Sequence, residues 1–185
     1  MKTVFLLIAA SGLLVTGVIG QDNSFVPAND VSFTVAAEHT TYKAGEQIYL
    51  TYEIVNVSNS ALYVPREWEA QCPSHPHIWA GFENSEGKHF VPGYAGSCSP
   101  SQQTLSHRME KEVLLLKPGQ RVEGKIRMDT SLFGGLQPGA YRLEALLSGW
   151  RQSDFTPAQQ SELAKFGAPF MVGEVPASSR ITLTP

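Results

Sequence analysis

The residues best suited to chemistry lie in CPSHPHIW, Cys72 to Trp79, where a thiol and two imidazoles precede an indole within eight residues. Thiolate and neutral imidazole are both ligands for zinc or copper. The same thiol could instead be half of a disulfide, since the chain holds one other cysteine, Cys98. Histidines His75, His77, His89 and His107 all fall between residues 66 and 110, and His39 alone lies outside. Metal-ligand candidates are therefore His75 and His77, which share a face if the segment is extended. No carboxylate is spaced to complete a recognisable ligand motif with them.

The same stretch gathers aromatic residues: Trp68, Trp79, Phe82, Phe90 and Tyr94. Exposed, such rings stack on sugars or bury against proteins. Trp79 and Phe82 sit on strand-like sequence and read as core, whereas Trp68 and Tyr94 read as exposed. With His75 and His77 they form the candidate binding surface. Catalytic motifs are missing. There is no G-x-S-x-G elbow, H-E-x-x-H or Gly-rich phosphate loop. Glu67 and Glu69 flank Trp68, but carboxylates two apart in a loop read as solvated. The chain is expected not to be an enzyme, and no cofactor is expected.

Elements must position these groups, and the signal on both sides of 66–110 is alternation. Val31, Phe33, Val35 and Ala37 share one face. In QIYLTYEI, Ile48, Leu50, Tyr52 and Ile54 point one way. NVSNS turns the chain into a short strand, ALYVP. HIWAGFEN and KHFVP are the strand-like pieces of the middle, joined by NSEGK. After 110, KPGQ has Pro and Gly at the centre of a type II turn. Val122, Ile126 and Met128 then face inward, and QPGA leads into YRLEALLSGW. TPAQQSELAKFG carries the one helix signal, near residues 157–166: Thr156 as N-cap, Pro157 at the first position, Gln159 closing a capping box and Gly167 as terminator. SRITLTP reads as a last strand. The expected fold is all-β: an immunoglobulin-like β-sandwich of about seven to nine antiparallel strands with that one short helix.

Residues 1–20, MKTVFLLIAASGLLVTGVIG, have one Lys, an apolar run and small residues before Gln21. This is the pattern of a signal peptide. It predicts an exported protein, periplasmic or extracellular, with a single domain at 21–185 and no stable membrane insertion after cleavage. Removing Lys2 takes the net charge from −3 to −4. With no basic cluster, nucleic-acid partners are excluded. In an exported chain a cysteine pair forms a disulfide. Cys72–Cys98 would staple the middle segment and stabilise by roughly 3–4 kcal/mol; thiol titration before and after reduction checks it. Asn56-Val57-Ser58 is a glycosylation sequon, meaningful if the host is a eukaryote.

Two stretches resemble known families. YKAGEQIYLTYEIVNVSNSALYV and LLLKPGQ with LQPGAYRLEALL are similar to bacterial immunoglobulin-like domains, most nearly to the bacterial intracellular proteinase inhibitor (BsuPI-like) family, over about residues 31 to 150. The resemblance rests on turn residues and implies the fold, with no reactive-site residue to carry over. CPSH has the Cys-x-x-His spacing of cupredoxins, but it lies mid-chain, has no Met close behind it and competes with Cys98. The expected function is a non-enzymatic binding or interaction module outside the cytoplasm. Its partner would be a protein, such as a protease, or a cell-envelope component. The alternative is a cupredoxin-like copper- or zinc-binding protein.

Overall fold

The computed structural model describes residues 24–66, 78–92 and 113–185. It is an all-β sandwich with one short helix, as the alternation predicts. Among the described residues twelve strands form three sheets. In chain order they are β1 (Phe25–Pro27), β2 (Val31–Ala37), β3 (Thr41–Lys43), β4 (Gln47–Asn56), β5 (Leu62–Pro65), β6 (Ile78–Asn84), β7 (His89–Phe90), β8 (Val113–Leu116), β9 (Arg121–Asp129), β10 (Gly139–Ser148), β11 (Phe170–Val172) and β12 (Glu174–Thr184). The five-stranded sheet runs β3-β12-β10-β6-β7, the three-stranded sheet β2-β4-β9, and the four-stranded sheet β1-β11-β5-β8.

Strand number and direction differ in part from expectation. Three pairings are parallel: β1 with β11, β11 with β5, and β12 with β3. The strands beyond the expected seven to nine are mostly two to four residues long. Alternation over so short a span cannot be told from a turn. Tyr42 and Lys43, for instance, open YKAGEQ, a Gly-containing sequence that reads as a turn, yet Thr41–Lys43 adds a parallel edge to β12.

The long strands form as their patterns require. On β4, Ile48, Leu50 and Ile54 are buried, and with Phe33 of the neighbouring β2 they share one main core with Tyr141, Leu143 and Leu147. Tyr52 lies over Gly124, its partner on β9, where a Cβ would come within 2.3 Å of the phenol ring. Tyr141, at the start of β10, donates its hydroxyl to the Gln137 carbonyl at 2.8 Å and accepts from the Gln137 N–H at 3.1 Å. A tyrosine bonded back to the corner before its strand is a feature of immunoglobulin-like sandwiches.

A second core lies under the helix. Helix α1 (Pro157–Leu163) has the expected capping box between Thr156 and Gln159, and a 3-10 turn extends it to Phe166. Leu163 packs with Val113, Trp150, Phe155 and Phe170. Trp150 meets Phe170 edge-on with ring centroids 5.6 Å apart. No helix among the described residues is long and apolar enough to cross a membrane.

One side chain joins two of the sheets. Asn56, at the end of β4, is fully buried. Its amide donates to the Ser60 carbonyl at 2.8 Å and to the Leu116 carbonyl of β8 at 2.9 Å. Its side-chain oxygen accepts from the Ser58 N–H and hydroxyl, at 2.9 and 2.8 Å. Its own N–H and C=O hold Gln120 and Gly119 of the KPGQ turn. The folded chain therefore does not present the sequon: the acceptor nitrogen is buried and both its hydrogens are donated. Asn56→Ala would leave the Ser60 and Leu116 carbonyls without this donor and is expected to cost about 3 kcal/mol. Ser58→Ala, which removes one bond to the same oxygen, should cost about 1 kcal/mol. Denaturant unfolding of both variants checks the ranking, and equal losses would contradict it.

Candidate functional site

The outer face of the five-stranded sheet is charged because alternation puts Tyr141, Leu143, Ala145 and Leu147 inward and leaves Arg142 and Glu144 outward. The register then sets a row across four strands. Arg180 of β12 stands opposite Arg142 of β10, Arg142 opposite Glu83 of β6, and Glu83 opposite His89 of β7. In the next row on this face, Glu144 lies between Ser178 and Gly81.

Local chemistry fixes the β6–β7 hairpin that supplies Glu83 and His89. The Asn84 side-chain oxygen accepts from the N–H groups of Glu86 and Lys88 at 3.0 and 2.9 Å. Gly87 takes the positive φ of 79° that closes the turn. Gly81 allows the Phe90 backbone to come close, since a Cβ there would lie 2.9 Å from the Phe90 carbonyl oxygen.

These residues form one ion-pair network. Arg142 binds Glu144 at 2.8 Å and is paired with Glu83 as well. His89 Nδ1 lies 3.1 Å from the second Glu144 oxygen. One ligand atom each from Glu83, His89 and Glu144 falls within 4.8 Å of the others. Both carboxylates converge on the Arg142 guanidinium. Arg180 has no such partner among the described residues. It lines an open groove of about 580 Å³ with Thr40, Ser85, Arg142 and Thr182.

Of the residues singled out in the sequence, Trp68, Cys72, His75, His77, Tyr94 and Cys98 lie outside the described residues, as do Glu67, Glu69 and His107. His39 is not drawn to the cluster; its ring tilts against Tyr42 at 5.8 Å. Phe82 is core, packed edge-on against Phe133 at 4.9 Å. Phe90 is core too, and Trp79 is half-buried opposite Leu146. Sequence reasoning missed Glu83, Arg142, Glu144 and Arg180 as a group. Their outward positions could be read from alternation, but their meeting depends on a register between strands about 40 to 60 residues apart.

No known protein family matches the sequence, and no curated protein matches it either. Solved structures give distant similarities. A β-glucosidase from Erythrobacter marinus aligns with a TM-score of 0.43 at 12% identity, over 83% of this chain and 15% of its own. A β-glucosidase from Listeria innocua aligns with a TM-score of 0.40 at 10% identity, over 83% and 16%. A CARDB domain from Pyrococcus furiosus, in complex with di-metal ions, aligns with a TM-score of 0.35 at 10% identity, over 84% and 88%. This chain thus spans less than a fifth of either glucosidase. Scores and identities this low assign no activity. None of these three belongs to the proteinase-inhibitor family that the turns resemble.

Proposed function

We propose that this chain is an exported, non-enzymatic binding module that recognises an acidic segment of a partner protein on the outer face of its five-stranded sheet. The observation that carries the reading is the pair Arg142 and Arg180. Like charges directly opposite on neighbouring strands destabilise a sheet. Glu83 and Glu144 both go to Arg142, so among the described residues the groove keeps one guanidinium without a carboxylate partner, beside the hydroxyls of Thr40, Ser85 and Thr182. Guanidinium groups bind carboxylates in a bidentate fork, which suits a Glu- or Asp-bearing peptide. The hairpin that supplies Glu83 lies within residues 66–110, where the sequence concentrates its aromatic and histidine residues. The apolar leader and the Cys72–Cys98 staple belong to this reading, and Trp68 and Tyr94 are its further contacts.

Arg180→Gln tests it in two ways. Relief of the like-charge pair should raise stability slightly, by up to about 0.5 kcal/mol. Proteins captured by the wild type from envelope extract should be lost. A variant that captures the same proteins as the wild type overturns the reading.

The convergence of Glu83, His89 and Glu144 favours a second reading, a zinc or copper site in which the metal displaces Arg142. Calorimetric titration of metal-free protein with zinc separates the two. Stoichiometric binding that strengthens in Arg142→Ala and is lost in His89→Ala supports the metal; no binding by either the wild type or Arg142→Ala removes it.

A further inference from the structure

The geometry points to β9 as a self-association edge: two copies of this chain pair their β9 strands antiparallel about a two-fold axis at Lys125, joining their three-stranded sheets into one of six strands.

The free edge follows from the ladder. β9 pairs with β4 on one side and has no strand partner on the other among the described residues. The Asn56 N–H donates to the Gln120 carbonyl at 3.1 Å. Antiparallel bonding alternates along a strand. The even-numbered residues of β9 therefore bond to β4, and the N–H and C=O groups of Arg121, Glu123, Lys125 and Arg127 point away from it. Among the described residues no strand pairs with these outward N–H and C=O groups, and such an edge templates another strand.

Charge selects the occupant and its register. The outer face of β9 reads Arg121, Glu123, Lys125, Arg127, Asp129. With the two-fold axis at Lys125, Arg121 meets Asp129 of the second copy and Glu123 meets its Arg127. Each contact occurs twice by symmetry. Sliding the second copy by two residues one way sets Arg121 against Arg127. Sliding it the other way sets Glu123 against Asp129 and Lys125 against Arg127. The central Lys125–Lys125 contact is relieved within each copy, because Glu38 holds that ammonium at 2.5 Å.

Within one chain Arg121, Lys125 and Asp129 have partners, and two of the charges, Glu123 and Arg127, make no ion-pair contact among the described residues. Glu123 stands directly opposite Glu53, whose carboxylate is taken by Arg121 at 3.1 Å. On the inner face, the half-buried Val122, Gly124 and Ile126 gain apolar neighbours from the second copy.

Light scattering with size-exclusion chromatography, run on the mature protein at low salt, tests this. A dimer is expected. Arg127→Glu should weaken association by about tenfold or more, since the repulsion is counted twice. Combining Arg127→Glu with Glu123→Arg should restore it. Amide exchange should show the N–H groups of Glu123, Lys125 and Arg127 protected in the wild-type dimer. Circular dichroism keeps a folding failure distinct from a lost interface. A monomer overturns the proposal, whether those amides exchange freely or are protected from within the chain. So does a dimer indifferent to Arg127→Glu, or one not restored by the double exchange.

Discussion

Asn56 sets the frame on which the rest of the molecule depends. A buried primary amide must satisfy two donors and an acceptor, and one left unsatisfied costs more than a made bond contributes. Here every group is used, and the partners lie on the β4–β5 turn, on β8 and across the turn into β9. The three-stranded sheet and the four-stranded sheet are therefore held at a fixed offset. The turn that the Asn56 backbone holds leads directly into β9 at Arg121.

The two outer faces use charge differently. On the five-stranded sheet, Arg142 gathers both nearby carboxylates and leaves Arg180 without a carboxylate among the described residues. On the three-stranded sheet, Arg121 takes Glu53 and Lys125 takes Glu38, while among the described residues Glu123 and Arg127 make no ion-pair contact, Arg127 acting on Asp129 only through its field. Exposed ion pairs contribute little to stability. The residues left out of them are the more informative ones, because an unpaired charge held on a rigid strand is available to a partner. Asp129 closes the β9 strand by accepting from the Ser131 hydroxyl and N–H, which lowers its pKa and keeps it anionic.

Where the code was local, the sequence was readable. QIYLTYEI shows its buried face because each side chain's direction depends on position alone. Thr156 and Gln159 form their capping box because both partners lie within one turn. NSEGK closes its hairpin for the same reason. The parallel pairings and two of the short strands were not readable, since Thr41–Lys43 and Phe170–Val172 become strands only when distant chain meets them, whereas ALYVP and KHFVP showed as short strands. The charged row from Arg180 to His89 has that same origin. CPSHPHIW drew attention through residue types in one short stretch. The cluster that forms on the sheet takes one histidine from the same segment, His89, and assembles it with residues from distant strands.

The central claim is that the Arg142–Arg180 groove is the recognition surface. Nuclear magnetic resonance of 15N-labelled protein, titrated with a peptide of consecutive glutamates, tests it most directly. The account predicts saturable shifts confined to Arg142, Arg180, Thr182, Ser85 and their neighbours on the five-stranded sheet. Shifts centred elsewhere, or none at millimolar peptide and low salt, would contradict it.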